Sequence, residues 1–143
     1  MIKAACHCGA VRFEIAGPPP WVLDCNCTVC RRYGGLWAYP NAGLKVLKGP
    51  DPAATDAYLW GDRSLAFHHC KTCGCITHTM AVEVDPPALF CVNARMMLGL
   101  DPASVPVRQV DNGHTGFFWT RSDAPVIASR HPVMPPPGPD DWR

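Results

Sequence analysis

The sequence predicts an all-β or β-rich single domain of short antiparallel sheets. Short apolar runs with a period of two recur along the chain, Gly and Pro turns separate them, and little of the sequence reads as helix. Most of the nine cysteines fall in tight groups, at 6 and 8, at 25, 27 and 30, and at 70, 73 and 75. Thiolate sulfur suits zinc better than oxygen ligands do, so the sheets are expected to be stapled by zinc.

Taken in order, Cys6-His7-Cys8-Gly9 opens the domain with two thiols and a glycine that lets the backbone turn tightly around a metal. A strand is expected over residues 10–15, where apolar side chains alternate with Arg12 and Glu14, and Gly17-Pro18-Pro19-Pro20 ends it because proline has no amide hydrogen to give a sheet. Residues 21–24 lead as an extended segment into Cys25-Asn26-Cys27-Thr28-Val29-Cys30, and residues 31–35 read as a turn with room for one helical loop. Residues 36–39 and 44–47 are strand-like on either side of a Pro40-Asn41-Ala42-Gly43 turn, and a second break at 49–52 precedes residues 57–60. A strand over 64–69 delivers Cys70-Lys71-Thr72-Cys73-Gly74-Cys75, and strands over 76–84 and 88–93 follow. Residues 93–98 read as a short helix or wide turn closed by Gly99, 105–110 as a last strand, and 111–116, which contains His114, as a loop before Phe117-Phe118-Trp119. The zinc domain is expected over 2–128, and 129–143, with Pro135-Pro136-Pro137, as an extended Pro-rich tail outside the core.

At 143 residues the chain fits one domain. A net charge of +1 and a charged fraction of 17% give no general electrostatic grip on nucleic acid or on an anionic membrane, so neither is expected as a partner. Residues 1–6 lack the apolar core of a secretory signal and no apolar run is long enough to cross a bilayer, which predicts a cytoplasmic protein. An odd number of cysteines without an export signal argues against a disulfide framework and for metal.

Cys6 and Cys8 pair with Cys70 and Cys73 as two knuckles far apart in sequence, the pattern of a closed four-thiolate structural zinc. Cys25, Cys27 and Cys30 remain as a run that supplies three ligands and stops. A catalytic zinc keeps one position free of protein, so the triplet predicts an open, catalytic site and two zinc ions per chain. Cys75 is the rival fourth ligand that would close it, and Cys91, inside an apolar strand, reads as a buried small hydrophobe or a redox residue. His7, His68, His69 and His78 read as surface or hydrogen-bonded residues, and His114 as a candidate site residue. Arg31, Arg32 and Tyr33 follow the triplet and read equally as substrate anchors or as a solvated turn.

Residues 6–13, 25–32 and 70–74, taken as an ordered set, resemble the glutathione-dependent formaldehyde-activating enzyme family, which includes centromere-protein-V-like proteins; Asn93-Ala94-Arg95-Met96 resembles a weaker signature of the same family. The resemblance implies a β-tent fold, with Cys6, Cys8, Cys70 and Cys73 on a structural zinc and Cys25, Cys27 and Cys30 on a catalytic one. It also implies a carbon-sulfur lyase of the S-(hydroxymethyl)glutathione synthase kind, with a small-molecule thiol such as glutathione and a small aldehyde such as formaldehyde as substrates. Cys75 lies outside the common ligand pattern. Two other classes stand beside this one: a non-catalytic zinc module that presents a surface to a protein, and a thiol-based reductase using Cys75 or Cys91.

Overall fold

The computed structural model describes residues 1–101, 104–110 and the backbone of 119–120. Within these, the strands are β1 (Ile2–Ala5), β2 (Arg12–Ile15), β3 (Val22–Cys25), β4 (Leu36–Ala38), β5 (Val46–Lys48), β6 (Thr55–Tyr58), β7 (Leu65–Cys70), β8 (Ile76–Ala81), β9 (Ala88–Asn93), β10 (Val107–Val110) and β11 (Trp119–Thr120). The helical content is one turn, α1 (Cys30–Tyr33), and three 3-10 turns at Pro40–Ala42, Pro52–Ala54 and Ala94–Met96. His114, Phe117, Phe118, the domain end at 128 and the Pro-rich tail lie outside the described residues. No helix among the described residues is long and apolar enough to cross a membrane.

The strands form a three-stranded sheet in the order β1-β2-β5 and an eight-stranded sheet in the order β11-β10-β3-β4-β9-β8-β7-β6. The β-rich expectation holds, and the expected strand over 88–93 coincides with β9. Two features were not expected from the sequence. Ile2–Ala5 forms β1, paired with β2 from Ile2 opposite Ile15 to Ala5 opposite Arg12, although two alanines give the segment a weak strand signal. Also, β10 runs parallel to β3, with Val107 opposite Val22, whereas the other pairings among the described residues are antiparallel. A parallel pair needs a long crossover, and here most of the domain lies between the two strands.

Side-chain alternation explains where the core sits. Val22, Leu36, Ala38 and Val92 point from the large sheet toward Phe13 and Ile15 of the small one, forming the core between sheets. Their neighbours Leu23, Cys25, Trp37 and Cys91 point to the opposite face and form a second cluster with Phe67, Ile76, Val29 and Val110. The central strands are apolar on both faces for this reason. A β-bulge modifies the pattern in β9: Thr79 lies opposite Cys91 and Met80 opposite Leu89, so Phe90 is the extra residue. Phe90 and Cys91, consecutive in sequence, can then line the same cavity.

Candidate metal centres and the cavity beside them

The first cysteine group joins the two sheets. Cys6 follows β1 and Cys8 lies in the β1–β2 turn, while Cys70 ends β7 and Cys73 lies in the β7–β8 turn. Each turn is closed by a left-handed glycine, Gly9 at φ +77° and Gly74 at φ +75°, where a side chain would be strained. Gly9 N donates to Cys6 O at 2.9 Å, and Gly74 N to Cys70 O at 2.9 Å. The turns also aim amides at sulfur: Val11 N donates to Cys6 Sγ at 3.3 Å and Thr72 N to Cys70 Sγ at 3.4 Å. The four sulfurs lie within 4.8 Å of one another, with Cys6–Cys8 and Cys8–Cys70 at 3.6 Å. A tetrahedron with Zn–S bonds of about 2.3 Å has edges of about 3.8 Å, so the set fits a thiophilic ion.

The second group is local. Cys25 ends β3, Cys27 lies in the following turn and Cys30 opens α1. Cys27 N donates to Cys25 Sγ at 3.5 Å and Cys30 N to Cys27 Sγ at 3.4 Å, and the three sulfurs again lie within 4.8 Å. Both groups can therefore hold a metal ion. Hydrogen bonding favours ionisation of Cys27 in the second group and of Cys73 and Cys70 in the first. Hydrogen bonds from the Cys25 and Cys30 side chains, in that order, bring Cys27 down to about 3, and the backbone amides of Cys75 and Cys8 bring Cys73 down to about 5. Thiolates are what a metal requires of its cysteine ligands.

Beside the triplet lies a cavity of about 560 Å³. Cys25, Cys27 and Cys30 form part of its wall, and Leu23, Val29, Trp37, Tyr39, Trp60, Leu65, Phe67, Phe90 and Val110 supply most of the rest. Its polar members include Asp62, Ser64, Thr79 and Cys91. Cys75 is not among the lining residues; it packs instead beside Cys6, Val11 and Cys70 at the first group. Arg31, Arg32 and Tyr33 do not line the cavity either. Arg31 and Arg32 are exposed, Arg32 Nη1 donates to Thr28 O at 2.6 Å, and Tyr33 stacks on Phe67 with ring centroids 6.0 Å apart.

The family model for the glutathione-dependent formaldehyde-activating enzyme matches residues 1–103, which contain both cysteine groups and every cavity-lining residue except Val110. The chain belongs to this family. A Halomonas elongata protein named for the same family is 40% identical over 40 residues, a stretch that spans 27% of this chain and 26% of that protein. A crystal structure of a Rhodobacter sphaeroides protein superposes with a TM-score of 0.53 at 29% identity, covering 73% of this chain and 98% of that one. The fold of that protein is thus shared over most of this chain.

Several members of the site carried no readable signal in this family member's sequence. Trp60, Asp62 and Ser64 come from the turn before β7, far from the triplet in sequence, and Tyr39 directly follows β4. Burial pushes the Tyr39 hydroxyl well above its ordinary value, with the Cys91 thiol adding to the effect, so it stays protonated at any physiological pH. Tyr39 meets Phe90 edge-on at 5.6 Å and Trp21 at a 35° tilt at 5.7 Å, and Arg108 Cζ lies 4.4 Å over the Trp21 ring. Cys91 Sγ lies 2.9 Å from Thr79 Oγ1, and full burial pushes its thiol up to about 12. Asn93 and Arg95, from the weaker signature, act on the triplet through structure. Asn93 Oδ1 accepts from Leu36 N at 3.2 Å and Arg95 N at 3.1 Å, its Nδ2 donates to Ile76 O at 3.0 Å, and Arg95 Nε donates to Gly34 O at 2.6 Å, just past α1.

Proposed function

We propose that this protein is a zinc-dependent carbon-sulfur lyase, run in the direction that joins a small-molecule thiol to a small aldehyde, with formaldehyde and glutathione as the pair the family's name suggests. Cys6, Cys8, Cys70 and Cys73 would hold a structural zinc, and Cys25, Cys27 and Cys30 a second ion at the cavity wall. The observation that carries the reading is the position of the triplet: three cysteines, with Cys75 packed elsewhere, beside a cavity of ligand size. When bound there, zinc would hold the substrate sulfur as a thiolate and polarise the carbonyl.

The chain's own residues supply the remainder. The aromatic walls exclude water and hold thiol and aldehyde together, which turns an encounter of two solutes into a local one. In the addition itself a sulfur–carbon bond forms, the carbonyl π bond breaks and the thiol proton ends on the aldehyde oxygen; no oxidant or reductant is needed. Tyr39, protonated and in the cavity wall, is the side chain suited to donate a hydrogen bond to that oxygen. The reductase alternative through Cys91 requires a reactive thiolate there, and Cys91, buried and held protonated, opposes it. Such chemistry belongs among reduced thiols, in keeping with a cytoplasmic setting. The zinc-loaded protein is expected to consume formaldehyde only when a thiol is present; a rate equal to the uncatalysed mixture across several thiols and aldehydes would refute the proposal.

A further inference from the structure

Trp37 lines the cavity beside the triplet and is 2% exposed. Among the described residues its Nε1 is the one buried side-chain nitrogen or oxygen without a hydrogen-bond partner. An indole N–H can only donate, so it needs an acceptor, and a buried donor left unpaired is costly and rare in a native fold. The ring is also fixed in place. Trp37 sits on β4 between Leu23 of β3 and Asn93 of β9, and Phe67 meets it edge-on with ring centroids 6.3 Å apart. Gly35 gives the indole its seat, because a Cβ there would lie 2.7 Å from Trp37 Cζ2 and 2.8 Å from Cε2, the carbon bonded to Nε1. Gly35 lies just past α1, which Cys30 opens, and Trp37 packs in one cluster with Cys25 and Cys30. Tyr39 stands two residues further along the same extended backbone, at φ −117° and ψ 128°, so the two side chains share a face and a wall.

We infer that Trp37 Nε1 donates a hydrogen bond to the aldehyde oxygen at the triplet, the second donor to that atom beside Tyr39. The inference rests on the proposed thiol–aldehyde addition and adds a substrate-contacting residue to it. The aldehyde oxygen is one bond from the carbon that joins the sulfur, so it must lie beside the cysteines, whereas the amide and carboxylate oxygens of glutathione lie further along its chain. As the sulfur–carbon bond forms and the carbonyl π bond breaks, the electron pair moves onto this oxygen, which then takes the thiol proton. An oxygen with two lone pairs accepts from two donors, and donors already fixed in position hold the developing charge without reorganising.

The test follows the indole N–H signals of the zinc-loaded, isotope-labelled full-length chain by NMR, with Trp37 assigned through its own backbone resonances. Glutathione is added first and formaldehyde second. Glutathione alone is expected to leave the Trp37 indole signal nearly in place, and formaldehyde then to move it downfield and slow its exchange with solvent. A signal that stays put with both present, or that moves as far with glutathione alone, overturns the assignment. Trp37→Phe keeps a ring and removes the donor; kcat for thiol-dependent formaldehyde consumption is expected to fall about tenfold to a hundredfold, with KM for glutathione changed less than about threefold. An unchanged kcat, or a loss carried by KM alone, also overturns it. The NMR measurement uses the native chain and stands even where Trp37→Phe does not fold. If formaldehyde consumption depends on the thiol while the Trp37 signal stays put, the role of Trp37 falls and the addition stands. If the native protein consumes no more formaldehyde than the uncatalysed mixture, both fall together.

Discussion

Asn93 shows how one side chain can set the position of a site it does not touch. It is 1% exposed and fully engaged, accepting from the amides of Leu36 and Arg95 and donating to Ile76 O. Three elements, β4, β8 and the turn after β9, are thereby fixed to one another next to the triplet. Asn93→Leu leaves two buried backbone groups, Leu36 N and Ile76 O, and the part-buried Arg95 N without this partner, and is expected to cost roughly 3 kcal/mol in denaturant unfolding; a change below about 1 kcal/mol would contradict that role. His78 makes a different prediction. Its ring stacks on His68 with centroids 4.6 Å apart, and burial, followed by repulsion from His68, pushes it down to about 3. In the unfolded chain it titrates near 6.5, so between pH 6.5 and 3 the unfolded state takes a proton that the folded state refuses. The stability is complete above pH 6.5 and falls as the pH drops, at up to about 1.4 kcal/mol per pH unit. Between pH 6.5 and 5.0 the native protein should therefore lose about 1–2 kcal/mol more than His78→Gln, and equal losses would show that His78 accepts its proton in the fold.

At the level of elements, the two cysteine groups differ in what they connect. The first group joins the β1–β2 turn to the β7–β8 turn, two sheets and more than sixty residues apart. The second is contained between the end of β3 and the start of α1, and α1 is held by Gly34 N on Cys30 O at 2.9 Å and by Arg95 on Gly34 O. Structural zinc contributes roughly 10–16 kcal/mol in small peptides, comparable to the roughly 5–15 kcal/mol that stabilises a whole domain. Cys70→Ser is accordingly expected to abolish cooperative thermal unfolding. Cys27→Ser should keep that transition, lose one metal per chain and lose formaldehyde consumption. Retention of both metals in Cys27→Ser, or loss of the fold in it, would reverse the assignment of the two groups. Legibility in the sequence follows the same division. The cysteine groups and β9 could be read because their signals are local, a ligand spacing and a short apolar run. The Phe90 bulge, the alanine-rich β1 and the cavity contribution of Trp60 could not, because each is set by a partner strand or by residues distant in sequence.

Across the whole molecule, the large sheet serves two surfaces with one set of strands. Its inner face packs on the small sheet through Val22, Leu36, Ala38 and Val92; its outer face carries Leu23, Cys25, Trp37 and Cys91 to the cavity. The β-rich class was readable from period and turns, but the order of strands was not, since the parallel β3–β10 pair depends on where a long crossover returns. Arg31 and Arg32, read equally as substrate anchors or as a solvated turn, are exposed on α1, while the cavity is walled by residues from β3, α1, β4, β7, β8, β9, β10 and the loops between. What this architecture offers a reaction is three sulfurs placed to hold one ion, with one side facing an apolar space. The most direct test is X-ray absorption of the fully zinc-loaded protein, before and after adding a thiol. The account requires two zinc ions per chain and about 3.5 sulfurs per zinc, the mean of a four-thiolate and a three-thiolate site, rising toward four when the thiol is added. Four sulfurs per zinc before any thiol is present, or one zinc per chain, would contradict it.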